Sequence, residues 1–119
     1  MKIILDTNFL IDAIRFKIDI FSELAGNELY ILDSIVNELK IVEKRGTSES
    51  NLAKLALKVL GTKDLKMLKS IEKNTDESLL AYSQQDYAIA TQDSLLRHLI
   101  KEKKGKLVYI RQGKYVVIE

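Results

Sequence analysis

Short runs of three or four hydrophobic residues alternate along this chain with longer stretches in which hydrophobic residues recur every three or four positions. The first pattern predicts buried strands and the second predicts helices with one apolar face. Ile3-Ile4-Leu5 puts a strand at about 2 to 5, and apolar residues at 9, 10, 13, 14, 16, 21 and 24 put one largely buried helix over about 8 to 25. After a turn at Gly26-Asn27, Leu29-Tyr30-Ile31-Leu32 forms a second strand. Asp33 or Ser34 then caps a helix that gathers Ile35, Val36, Leu39 and Val42 on one face. Gly46 to Ser50 reads as a loop, followed by a helix from about 50 to 60 that stops at Gly61. Leu65, Met67, Leu68 and Ile71 suit either a short edge strand or a helical turn, so residues 64 to 72 stay ambiguous. Beyond Asn74-Thr75 come a helix at about 76 to 85, a strand at 87 to 90 and a helix at 94 to 103, and past Gly105 two strands at 107 to 110 and 115 to 118. Such alternation predicts an α/β protein, a three-layer α/β/α sandwich on a mainly parallel central sheet.

That architecture gives the acidic residues a meaning. Asp6-Thr7-Asn8 leaves the first strand and Thr91-Gln92-Asp93 leaves the strand at 87 to 90, so Asp6 and Asp93 fall at strand tips. In an open parallel sheet the carboxyl ends of the strands face the crevice where ligands collect. Glu38 lies on the helix after the second strand, and Asp76 and Glu77 open a helix after a loop, both on the same edge. Carboxylates brought together there repel one another, and a hard divalent cation such as Mg2+ or Mn2+ resolves the repulsion with oxygen ligands and retained waters. The matching chemistry is phosphodiester hydrolysis, in which the ion activates water and stabilises charge on the phosphate and the leaving oxygen. Three of the acids also have a plainer reading, Asp76 and Asp93 as helix caps and Glu38 as a solvated helix residue, while Asp6 is the hardest to explain away. Thr7 and Asn8 suit either capping or orienting Asp6 by side-chain hydrogen bonds.

Composition narrows the classes further. With 119 residues, 46% hydrophobic and 30% charged, and no repeat or linker, a single domain over 1–119 is expected. No cysteine is present, which excludes disulfides and thiolate metal sites, and His98 as the one histidine excludes a histidine-rich zinc centre. His98 sits on an amphipathic helix and reads as an incidental surface or partly buried residue. No apolar stretch approaches the roughly 20 residues of a membrane span, and Met1-Lys2-Ile3 is too short for a signal peptide, so a cytoplasmic protein is expected. Net charge is only +2, but Lys101, Lys103, Lys104, Lys106, Arg111 and Lys114 cluster late and Lys40, Lys44 and Arg45 end an earlier helix. Such lysines complement helix dipoles, and they would hold a polyanion if they rim the acidic pocket.

Four segments in order, Ile4-Leu5-Asp6-Thr7-Asn8-Phe9-Leu10, Val36-Asn37-Glu38-Leu39, Thr75-Asp76-Glu77-Ser78-Leu79-Leu80 and Ile89-Ala90-Thr91-Gln92-Asp93, resemble the acidic motifs of PIN domains over nearly the whole chain. Residues 16 to 21 and 108 to 115 resemble the archaeal relatives of the small-subunit pre-rRNA-processing PIN endonucleases. The resemblance implies a metal-dependent endoribonuclease acting on single-stranded RNA, with pre-rRNA as a target. It implies Asp6, Glu38, Asp93 and either Asp76 or Glu77 as metal-binding and catalytic acids, Asp76 being favoured by its place at the helix start, and Thr91 as a hydroxyl that orders the site. Gln92 stands where the family often has asparagine, and Glu77 where a second aspartate is common. Alternatives are a VapC-type toxin ribonuclease held by an antitoxin, and an inactive PIN scaffold that binds RNA during ribosome assembly. An aspartyl-nucleophile phosphatase would want a carboxylate where Asn8 stands, and the paired acids and lysine strand of a receiver domain are not legible. Tyr115 to Ile118 suits either a homodimer edge or an edge strand within one chain.

Overall fold

Ile3-Ile4-Leu5 and Ala88-Ile89-Ala90 have no exposed surface, as expected of strands covered on both faces. In a computed structural model describing residues 1–119, the elements run β1 (Lys2–Leu5), α1 (Thr7–Arg15), α2 (Ile20–Glu23), β2 (Glu28–Leu32), α3 (Asp33–Lys44), α4 (Ser50–Thr62), β3 (Lys66–Leu68), α5 (Thr75–Ser83), β4 (Tyr87–Ala90), α6 (Ser94–Glu102), β5 (Leu107–Arg111) and β6 (Tyr115–Ile118). The six strands form one sheet in the order β3-β2-β1-β4-β5-β6. All neighbours pair parallel except β5 and β6. Helices α1, α3 and α4 pack on one another, and α5 packs on α6. The expected sandwich is therefore the observed one. Strand order reverses direction between β1 and β4, and the crevice at their carboxyl ends is the topological switch point of such a sheet.

Three local expectations need correction. The helix expected over 8 to 25 is two helices, because α1 ends in a tight backbone cap at Lys17, whose φ is 57°. Lys17 N–H donates to the Ile14 carbonyl at 3.1 Å and Ile18 N–H to that of Ala13 at 2.9 Å, a Schellman motif with lysine where glycine is usual. Asp19 then caps α2 by accepting from the Phe21 and Ser22 amides, both at 3.2 Å. At the start of α3, neither Asp33 nor Ser34 is the cap; Leu32 occupies that position without a side-chain bond. Gly61 does not stop α4, which continues to Thr62. The ambiguous segment supplies β3, an edge strand parallel to β2.

Candidate active site

Asp6 emerges from β1 with only 5% of its surface exposed. Its backbone amide still continues the sheet, donating to the Ala90 carbonyl of β4 at 2.9 Å, while its carboxylate turns to cap α1. One oxygen, Oδ1, accepts from the Thr7 amide at 2.8 Å, and the other, Oδ2, accepts from the fully buried Thr91 hydroxyl at 2.7 Å. The threonine after β4 thus fixes the aspartate after β1 across the switch point. Thr91 Oγ also accepts from the Asp93 amide at 3.2 Å, so the same hydroxyl orients the backbone that carries the second strand-tip acid.

Neighbouring polar residues hold the rest of the edge. Thr7 Oγ1 donates to Glu38 Oε2 at 2.5 Å, tying α3 to the start of α1. Asn8 Oδ1 accepts from the Gln92 amide at 2.9 Å, which binds the loops after β1 and β4 to each other. Gln92 in turn clamps the β5 backbone, its Oε1 accepting from Ile110 N–H at 2.6 Å and its Nε2 donating to the Ile110 carbonyl at 3.1 Å. Asp93 caps α6 with Oδ1, which accepts from the Leu96 amide at 3.1 Å. Asp76 is not the cap of α5: Asn74 holds that position and accepts from the Glu77 amide at 2.8 Å, so the Asp76 carboxylate is released from that duty.

The acids converge. Asp6, Glu38 and Asp76 line one cavity of about 240 Å³ with Thr7, Asn8, Asp12 and Glu49. Burial pushes the Asp6 carboxyl up to about 6, and the nearby Asp76 and Glu38 push the same way, against the opposing hydrogen bonds from Thr91 and Thr7. Asp76 is also raised, first by burial and then by Asp93 and Glu38, which places the fourth acid in the same field. None of the molecule's ion pairs includes any of these four residues. Their charge is therefore left without a cation from the chain, although no three acids already stand in coordinating geometry. Oxygen donors alone, concentrated and uncompensated, fit a hard divalent ion that keeps several waters.

Sequence reasoning missed two groups of residues. Asp12 and Glu49 line the outer cavity, both paired with Arg15, the Glu49 contact being 2.8 Å long. Asp12 lies on the α1 face that the apolar periodicity assigned to solvent, and Glu49 precedes α4 in a loop, so neither had a signal. Asp33, Ser34, Ser70 and Thr75 form a second network: Asp33 Oδ1 accepts from the Ser70 amide at 3.0 Å, and the Thr75 hydroxyl donates to Ser34 Oγ at 2.9 Å. That network anchors the start of α5, and with it Asp76, to the end of β2. Glu77 is absent from the acidic cavity and lines a different one with Glu72 and Lys103. The expected basic rim is only partly present. Arg45 shares a cavity with Thr7 and Glu38, and Arg111 ends β5 on the acidic edge. Lys103, Lys104 and Lys106 lie between α6 and the start of β5, at the opposite edge of the sheet. His98 is exposed and pairs with Glu102 at 2.9 Å, away from the acids.

A six-stranded, doubly wound sheet with acids gathered at its switch point defines a class, and the family model described as a PIN like domain matches residues 3–113. The chain belongs to the PIN-like domain family. It is 30% identical over 125 residues to Ribonuclease VapC4 of Methanocaldococcus jannaschii, covering 98% of this chain and 95% of that protein. The structure of the PIN domain endonuclease Utp24 is similar with a TM-score of 0.80 and 25% identity, over 99% of this chain and 90% of that one. A domain of a functionally unknown protein from M. jannaschii shares the fold, with a TM-score of 0.69 and 16% identity over 98% of this chain and 95% of that one.

Proposed function

We propose that residues 1–119 act as one PIN-like nuclease domain, a Mg2+- or Mn2+-dependent endoribonuclease that hydrolyses single-stranded RNA in the cytoplasm. Asp6, Glu38, Asp76 and Asp93 are its metal-holding and catalytic acids. The observation that carries this reading is the convergence of these uncompensated carboxylates at the switch point. A nuclease VapC relative and a PIN endonuclease neighbour support the same chemistry. A divalent ion bound there supplies an acid that activates water and stabilises charge on the scissile phosphate.

The chain's own residues keep the site in shape before RNA arrives. Thr91 and the Thr7 amide hold the two Asp6 oxygens in fixed directions, and the Thr7 hydroxyl holds one oxygen of Glu38. Asp93 uses Oδ1 for its cap and keeps Oδ2 for a ligand. Cleavage of a small-subunit rRNA precursor is what the resemblance of residues 16 to 21 and 108 to 115 implies, and the likeness to the PIN domain endonuclease Utp24 supports endonuclease chemistry. A second reading, a VapC-type toxin ribonuclease, is favoured by the 30% identity to Ribonuclease VapC4.

Purified protein and Asp6→Asn are assayed on labelled single-stranded RNA and on an rRNA precursor with Mn2+, Mg2+ or EDTA. The expected outcome is metal-dependent cutting by the unmodified chain and a loss of at least about a hundredfold in Asp6→Asn. Equal turnover by the two proteins with matched metal would remove Asp6 from the site. Cutting of the precursor at one position supports processing, and general cutting of cellular RNA with growth arrest on expression supports the toxin reading.

A further inference from the structure

Asp93 opens a helix whose exposed flank forms a second cavity. Ser94, Arg97, His98 and Lys101 recur at the three- and four-residue spacing that aligns side chains along one face of α6. With Tyr109 of β5, Leu107 and Glu119 they line a groove of about 230 Å³. It begins one residue after the Asp93 carboxylate and runs for about 10 Å along the helix, room for about three nucleotides of a stacked strand.

Arg97 is the unusual member. Its guanidinium lies over the Tyr109 ring, 4.5 Å from the centroid, so its plane is held in place. Yet Arg97 enters none of the ion pairs, and its buried Nε–H has no hydrogen-bond partner. The buried Nε is out of a ligand's reach, but the two outer guanidinium nitrogens are not buried and make no hydrogen bond, and a positioned pair of unspent donors suits a phosphate. The other basic side chains of the groove already have partners: His98 lies 2.9 Å from Glu102, and Lys101 3.5 Å from Glu119. Arg97 is thus the cation left for a ligand.

We propose that the α6–β5 groove binds the RNA strand next to the scissile phosphate. The Arg97 guanidinium pairs with a backbone phosphate and offers its plane to a base, and Lys101 exchanges Glu119 for the next phosphate. This rests on the ribonuclease reading above and adds to it the path of the substrate. Planar guanidinium and aromatic surfaces that stack unpaired bases are a common means of recognising single strands.

The test measures cleavage of single-stranded oligonucleotides of graded length by the full chain, Arg97→Gln, Arg97→Lys and Lys101→Gln, with Mn2+ over a range of salt. Lys54→Gln, on the exposed face of α4, is the control for loss of charge alone, and thermal unfolding checks each fold. The groove predicts that Arg97→Gln raises KM about five- to tenfold and lowers the salt slope of kcat/KM by about one phosphate contact. It further predicts that extending the substrate by about three nucleotides on one side lowers KM for the unmodified chain and not for Arg97→Gln. Arg97→Lys should restore the salt slope and not the full affinity, and the exposed Lys101→Gln should weaken binding about two- to threefold while folding normally. If the unmodified chain cuts RNA while Arg97→Gln and Lys101→Gln match it in KM, length dependence and salt slope, the groove is overturned and the ribonuclease stands. If the unmodified chain cuts no RNA, the ribonuclease reading falls and the groove with it.

Discussion

In the proposed metal site Asp6 is buried to be positioned and would have to be charged to hold a cation, and these demands oppose each other. Burial disfavours its ionised form, so its carboxyl rises from 3.8 to about 6. Because the folded value lies above the unfolded one, the stability tied to protonated Asp6 is fully present below about 3.8 and is lost as pH rises through about 6. At pH 7 without metal the buried charge therefore costs about 2 to 3 kcal/mol. Asp6→Asn should unfold at higher denaturant than the unmodified chain at pH 7.5 in EDTA, by about that amount, and the gap should close toward pH 4. Urea titrations at both pH values check this; a gap independent of pH would mean that Asp6 is not strained by its charge. Thr91 is the other residue whose role is decided at atomic scale. Its single hydroxyl, with no exposed surface, serves the two strand-tip aspartates at once.

Among the elements, two helices stop at lysines in the left-handed region, Lys17 after α1, a stop the sequence concealed, and Lys104 after α6, where the sequence did place the end. At α6 the Gly105 amide donates to the Ile100 carbonyl at 2.9 Å and a Cβ on Gly105 would lie 2.7 Å from Ile100 Cγ2, so glycine is needed one residue beyond the left-handed position. The β5–β6 hairpin is the third such device. Gln112 and Gly113 have φ of 55° and 63°, the two positive values of a type I′ turn. A Cβ on Gly113 would stand 3.0 Å from the Phe16 ring, which packs the end of α1 against the hairpin. Gly113→Ala should cost about 1 to 2 kcal/mol from backbone strain and crowding together. Thermal unfolding measures that cost, and combining it with Phe16→Leu should recover the crowding share only.

For the whole molecule, the four acids come from just past the ends of β1 and β4 and from α3 and α5, segments that span most of the chain from Asp6 to Asp93. An ion held among them, as proposed, would tie these segments together in the folded state and would have no counterpart in the unfolded chain. Saturating Mn2+ should therefore raise the melting temperature, by about 2.7 kcal/mol of stability at a hundred times its dissociation constant. Asp6→Asn should lose most of that response. Calorimetric unfolding with and without Mn2+ checks both, and an equal rise in the variant would place the ion elsewhere.

The sequence by itself determined the layers of the sandwich, because strands covered on both faces must be apolar throughout and amphipathic helices must repeat every three to four residues. It also marked Asp6, a carboxylate directly after a buried strand, and Asp93, three residues past β4, although each also caps the helix that follows it. What it could not contain was position across the sheet. Only the structure decided that Asn74 and not Asp76 caps α5, that Glu77 lines a different cavity from Asp6, Glu38 and Asp76, and that Asp12 and Glu49 line theirs. The same holds for the lysines after α6, adjacent in sequence to the basic groove yet carried to the far edge of the sheet. Periodicity reports which face of an element is buried, a local property of spacing. Which faces meet depends on strand order and helix direction, and these are set by contacts between residues far apart in the chain.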